Sequence, residues 1–298
     1  MRKIAFLTIL TALIMTSCCN QSQKEKAAIA KLDTMFQELY PADEPGAAVL
    51  ILKGDEIVYD KGFGIADLET GAKIDGNTFF NIASVSKQFT AVAMLQLAEQ
   101  GKISLQDPVK KYFPEFQADF FNDITIAHLL SHTSGIGDYR PREDRNFVLY
   151  ATDEQCYKYM ETLDKLHFTP GTEYQYMNPT FQLCYIIIQR VTGQSFEQYM
   201  KENIFTPAGM DQTVYFSPDK NIPNMSHAYI PVEEKESASN TDSDRTPEAQ
   251  AAAKKQQESA PVIGNWKEYD YGQETFFATK ADGGIYTLGY DGCSFPNP

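Results

Sequence analysis

A chain of 298 residues with 43% hydrophobic and 12% aromatic content can bury a large core, so a globular protein is expected. Its formal net charge of −14 excludes the clustered lysine and arginine that a nucleic-acid binder needs. The same charge is compatible with a soluble periplasmic or surface protein.

Residues 1–18 carry the pattern of an export signal: Arg2 and Lys3, the apolar run Ile4 to Met15, then Thr16 and Ser17 before Cys18 and Cys19. The run is too short to persist as a membrane-spanning helix. Thr16-Ser17-Cys18 before a polar stretch resembles a bacterial lipoprotein signal, with Cys18 the acylated residue and the mature protein held at a membrane face. Met15 stands where such signals usually have leucine, so lipidation at Cys19 or an ordinary secretory ending stays open.

Residues 19–44 read as a tether and a leading helix, with Ile29, Leu32, Phe36 and Leu39 on one side and Pro41 near its end. That apolar side is expected to cover a sheet. Ala47 to Leu52 and Glu56 to Ile65 form a hairpin around Gly54-Asp55. The next element is a helix in which Val85, Phe89, Val92 and Leu95 recur at helical spacing, Ala91, Met94 and Ala98 widen the stripe, and Gly101 stops it. The stripe predicts a buried, central helix. From about Gln88 to Pro218 the pattern is helix-rich, and Phe181 to Val191 is an apolar helix with Cys184 in the core. Residues 232–262 contain no aromatic side chain and read as a low-complexity insertion, within which Ala249 to Glu258 could form a short exposed helix.

Two short motifs carry chemistry. Ser84 and Lys87 are three residues apart at the head of the predicted helix, a spacing that brings the amine to the hydroxyl. An amine there can take the hydroxyl proton and make the serine a nucleophile. Ser-x-x-Lys arises by chance about once in a chain of this size. Ser217-Pro218-Asp219-Lys220 is such a copy, read as a turn because no apolar helix follows it. On this motif alone Ser84 could equally cap its helix. Tyr176 and Asn178 form the second motif, in a loop after Pro170-Gly171 and before an apolar helix. A phenol can relay a proton beside a lysine, an amide can hold a substrate amide, and side-chain alternation points both the same way. A buried aromatic with a turn asparagine is the plain alternative.

The four histidines form no metal-ligand spacing with one another or with a cysteine, so neither a metal site nor a cofactor is expected. His132 beside a serine invites a Ser-His-Asp reading, which is set aside below. Cys156, Cys184 and Cys293 are odd in number and lack a C-x-x-C pair, which indicates no disulfide framework.

These motifs and their surroundings resemble the serine beta-lactamase and penicillin-binding-protein superfamily, in its class C beta-lactamase, D-alanyl-D-alanine peptidase and esterase branch. Supporting segments, in the expected order, are Pro45 to Val49, Leu105 to Val109, Leu129 to Gly135, Pro207 to Met210 and Asp282 to Tyr286. The resemblance implies an α/β chain of two-lobe α+β type, with an antiparallel sheet flanked by helices and an all-helical lobe, spanning residues 45–298. It implies Ser84 as acyl-accepting nucleophile, Lys87 as its base, Tyr176 as second proton-transfer group and Asn178 as substrate ligand. The Ser84 N–H would be one oxyanion-hole donor, and His132 would lie in a structural loop. The family's third motif, Lys-Thr-Gly or His-x-Gly on a strand, is absent after Asn178.

The expectation is therefore a C-terminally truncated or frame-shifted member, missing its closing strands and one oxyanion donor. Its function would be a serine acyl hydrolase acting on a beta-lactam, a D-amino-acid peptide or an ester. The alternative is a catalytically defective paralogue that binds without turnover.

Overall fold

The computed structural model describes residues 23–141, 144, 147, 151–216, 222–232, 262–268, 279–289 and 291. Cys18, Cys19, Cys293, the Ser217 copy of Ser-x-x-Lys and the helix expected over 249–258 lie outside the described residues. The chain divides into two compact units, residues 1–76 and 77–298.

In the first unit, helix α1 (23–39) precedes the hairpin of β1 (Ala47–Lys53) and β2 (Glu56–Phe63), with β3 (Ile65–Asp67) paired to β4 (Ala72–Lys73). Of the predicted apolar side of α1, Phe36 meets the hairpin, its ring 5.5 Å from Phe63 and 6.3 Å from Tyr59, whereas Leu39 is exposed. At the edge of this contact Asp33 accepts hydrogen bonds from Tyr59 Oη at 2.7 Å and Lys61 Nζ at 2.6 Å. Gly46, in the Pro45-to-Val49 segment, has no alternative, because a Cβ there would collide with the Phe63 carbonyl.

The second unit opens with β5 (Phe80–Asn81), a 3-10 turn over Ala83–Val85 and helix α2 (Ser86–Glu99). Short helices α3 (Val109–Tyr112) and α4 (Ile126–Leu130) follow, then α5 (Asp153–Glu161), α6 (Pro179–Thr192) and α7 (Phe196–Met200). Helix α6 begins with Pro at its first position and ends on Gly193 in the left-handed conformation, the arrangement that both residue types favour. It is buried from Pro179 to Ile188, Cys184 included, and packs against α2, α4 and α5. Phe113, Phe116 and Phe121 stack beside it with centroids 4.8 and 4.5 Å apart.

Strand β6 (Val214–Tyr215) precedes a small sheet ordered β7-β9-β8, made by β7 (Tyr229–Pro231), β8 (Val262–Ile263) and β9 (Trp266–Glu268). Strand β10 (Ile285–Thr287) lies between β5 and β6, with Tyr286 opposite Asn81 and Val214. Residues 200 positions apart thereby meet at the head of α2.

Helix α2 corrects one expectation. Its buried residues are Ser86, Lys87, Thr90, Ala93, Met94 and Leu97, whereas Val85, Val92 and Leu95 are 55%, 44% and 48% exposed. Of the stripe chosen from the sequence, Val85, Val92 and Leu95 face solvent, whereas Phe89, Met94 and Ala98 pack on the core of this unit. The cause is that hydroxyl and amine groups on the opposite face find partners on the incoming 279–285 segment, so burying them incurs little desolvation cost. Met94 and Leu97, wholly buried on that same face, contribute on the order of 1.5–3 kcal/mol each.

Candidate active site

Ser84 sits in the 3-10 turn that feeds α2, not within the α-helix itself, and is solvent-exposed. The preceding Ala83 has φ of 45°, a region that residues with a Cβ seldom occupy and one that marks functional turns. Asn81 holds this bend: its Oδ1 accepts from the Ala83 N–H at 2.7 Å and its Nδ2 donates to the Gly283 carbonyl at 3.3 Å. The bend presents Ser84 at a helix start, where backbone N–H groups have no partner within the helix.

Lys87, only 6% exposed, donates to Ser84 Oγ at 3.1 Å and to the Asp282 carbonyl at 2.6 Å. The amine also lies 5.2 Å from the Tyr176 ring centroid and 5.5 Å from that of Phe181. The spacing read from the sequence thus brings the hydroxyl and the amine together, and Tyr176 joins them through its ring.

Tyr176 is 45% exposed and Met177 after it is buried at 3%, but Asn178 has helical dihedrals, so the extended-chain alternation expected of the pair does not reach it. Asn178 occupies the cap position of α6 without making a side-chain cap bond. Its Oδ1 is buried and has no hydrogen-bond partner among the described residues. A buried amide oxygen left unsatisfied costs free energy, and a ligand N–H could supply the missing partner.

The loop bearing Tyr176 is fixed by the Leu129-to-Gly135 segment. The His132 carbonyl accepts from Gln175 N–H at 3.0 Å, the Thr133 carbonyl from Gly171 N–H at 2.8 Å, and His132 Nδ1 from Met177 N–H at 3.1 Å. His132 also packs its ring on Tyr176, with centroids 4.4 Å apart. It adopts φ of 58° to do so. Burial, and after it the nearby Lys87 charge, lower the imidazole pKa below the ordinary 6.5. A serine-histidine couple is not formed, because the amine at Ser84 Oγ is that of Lys87.

Sequence reading missed the 279–285 segment as a partner of Lys87. Thr90 Oγ1 donates to the Ala281 carbonyl at 2.8 Å and the Ile285 N–H donates to Ser86 Oγ at 3.3 Å, alongside the Asp282 and Gly283 contacts. Gly284 is required within it, as a Cβ there would approach the Thr279 carbonyl to 2.6 Å. The two adjacent glycines of Asp282-Gly283-Gly284 were the available signal.

A family model described as beta-lactamase matches residues 32–295. The chain belongs to the beta-lactamase family. Protein flp of Staphylococcus aureus strain MW2 is 33% identical over 202 residues, which is 66% of this chain and 39% of that protein. Penicillin-binding protein 4* of Bacillus subtilis strain 168 is 32% identical over 207 residues, 67% of this chain and 45% of its own. The chain therefore spans under half the length of these curated relatives. The crystal structure of a penicillin binding protein from Bacillus halodurans superposes with a TM-score of 0.65 at 25% identity, covering 87% of this chain and 69% of that one. The mixed helix-and-sheet fold expected from the motifs is thus the fold of this beta-lactamase family member.

Proposed function

We propose that this beta-lactamase family chain is a serine acyl hydrolase that forms an acyl-enzyme on Ser84. The observation that carries the proposal is the placement of Lys87 Nζ, 3.1 Å from Ser84 Oγ and 2.6 Å from the Asp282 carbonyl. With one N–H given to that carbonyl, the amine is held facing the serine hydroxyl. Ser84 Oγ attacks an amide or ester carbonyl carbon while Lys87 takes the hydroxyl proton. The C–N or C–O bond breaks, the leaving group is protonated through Lys87 and Tyr176, and water then cleaves the new ester and restores the hydroxyl. Asn178 Oδ1 takes an N–H of the substrate, and the Ser84 N–H supports the oxyanion.

The substrates we favour are beta-lactams and cell-wall-type peptides ending in D-amino acids, since the relative from Bacillus subtilis is named as a penicillin-binding protein. Small esters share the same chemistry. The export signal read from residues 1–18, with Cys18 lipidated, supports a place outside the cytoplasm at a membrane face. Among the described residues no helix is long and apolar enough to cross a membrane.

The test is incubation of the protein and of Ser84→Ala with a fluorophosphonate and with a penicillin, followed by intact mass. The expected result is one adduct that maps to Ser84 and disappears in the variant. Absence of any adduct would favour a binding protein without turnover, and an adduct retained by Ser84→Ala would place the nucleophile elsewhere.

A further inference from the structure

Lys87 is held by a carbonyl, so whatever holds that carbonyl sets where the amine stands. The Asp282 carbonyl belongs to a segment that arrives 195 residues later in the chain, and its position is not fixed by the nucleophile helix alone. Behind the segment lies Asp153, the first residue of α5 and 1% exposed. Its Oδ2 accepts the Lys280 N–H at 2.7 Å and its Oδ1 accepts the Ala281 N–H at 3.3 Å. On the other side Thr90 of α2 donates to the Ala281 carbonyl. The peptide units just before Asp282 are therefore gripped from both faces, by a carboxyl on one and a hydroxyl on the other.

We infer that Asp153 and Thr90 are positioning residues for Lys87: together they clamp Lys280-Ala281 so that the next carbonyl fixes the amine against Ser84 Oγ. This rests on the acyl-enzyme reading above. Three features favour it over a plain structural role for a buried aspartate. Both carboxyl oxygens are spent on two consecutive backbone N–H groups, which orients a short segment instead of closing a helix. Capping of α5 is already done by Thr152, whose hydroxyl accepts from the Gln155 N–H while the Gln155 side chain returns the bond to the Thr152 N–H, so Asp153 is not needed for it. Two further side chains of the segment are also tied, one Asp282 carboxylate oxygen lying 3.9 Å from Arg140 and the Lys280 amine pairing with Glu197. Burial, and then the Asp282 charge, raise the Asp153 pKa well above the ordinary carboxylate range, and the two backbone N–H bonds act against that rise.

The experiment measures acylation by a penicillin in the full chain, separating the reversible binding constant from the acylation rate constant. Asp153→Asn turns one acceptor into a donor facing a backbone N–H, and Thr90→Val removes the hydroxyl at nearly constant volume. Glu154→Gln, whose carboxylate accepts from Tyr185 Oη at 2.7 Å, is the neighbouring control. Both clamp variants are expected to acylate about 10–100-fold more slowly with binding of the penicillin unchanged, because small misplacements of a reacting group cost rate and not affinity. The control should keep the wild-type rate. A folded Asp153→Asn that acylates at the wild-type rate would overturn the inference. If Asp153→Asn does not fold, Thr90→Val decides alone: slowed acylation supports the clamp and a wild-type rate overturns it. Failure of the wild-type protein to acylate with either the penicillin or a fluorophosphonate would count against the enzyme reading, and is distinguishable because the variants are compared, with whichever reagent acylates, only with an acylating parent.

Discussion

His132 spends its Nδ1 as an acceptor for the Met177 N–H and packs its ring on Tyr176, so the backbone bond beside Tyr176 depends on its neutral form. Its pKa is lowered by burial and by Lys87. A histidine with a folded-state pKa below its unfolded one adds stability that is complete above the unfolded value of 6.5 and is lost as pH falls through the folded value. Titration of the His132 ring by NMR should therefore give a midpoint below 6.5, and its contribution to stability should fall as pH drops from 6.5 through that midpoint. A midpoint at or above 6.5 would contradict the assignment. Asn178 makes the opposite kind of prediction. Because its Oδ1 is unsatisfied in the free protein, Asn178→Ala should leave Tm unchanged or raise it, while kcat/KM falls about 10–100-fold, the worth of roughly 1–3 kcal/mol of substrate hydrogen bonding. Ser84, Lys87, Tyr176 and Asn178 could be found in the sequence because each pair is local, three or two positions apart, and local spacing is what a sequence displays. Asp153 and Asp282 could not, since their partners, the Lys280 N–H and the Lys87 amine, lie 127 and 195 positions away.

Elements were legible in proportion to how far their own residues decide them. Helix α6 was readable from the apolar-rich stretch Phe181 to Val191. The hairpin followed from alternation around Gly54, and the pairing of α1 with it from Phe36. The face of α2 was read only in part: Phe89, Met94 and Ala98 do pack on the core, but the buried side also carries Ser86, Lys87 and Thr90, polar residues that become acceptable inside only when the distant 281–285 segment meets their hydrogen bonds. Helix α5 offers a test at this scale. Its Thr152-Gln155 capping box is complete, so Thr152→Ala should destabilise the protein by about 0.5–2 kcal/mol in denaturant unfolding. A loss near zero would show that the cap is redundant, and with it that α5 is anchored by other contacts.

At the scale of the whole molecule, the two units and the partial coverage of the relatives limit what similarity alone can assign, so the function rests on the geometry at Ser84. The cysteines give a global check on the core. Cys156 and Cys184 are free and wholly buried, and burial pushes both thiols up to about 12. Neither should react with a thiol reagent in the native protein, and both should react on unfolding, as read by peptide mass mapping. Rapid native labelling of either would mean that the helical core around α5 and α6 opens readily.

The central claim is that the Lys87 amine makes Ser84 reactive, and the most direct measurement is the second-order acylation rate constant of Lys87→Met with a penicillin, set against the wild-type protein. Removing the positioned base while keeping an unbranched chain of similar length should lower that constant by about 100-fold or more with folding retained. A folded Lys87→Met that acylates Ser84 as fast as the wild type would contradict it.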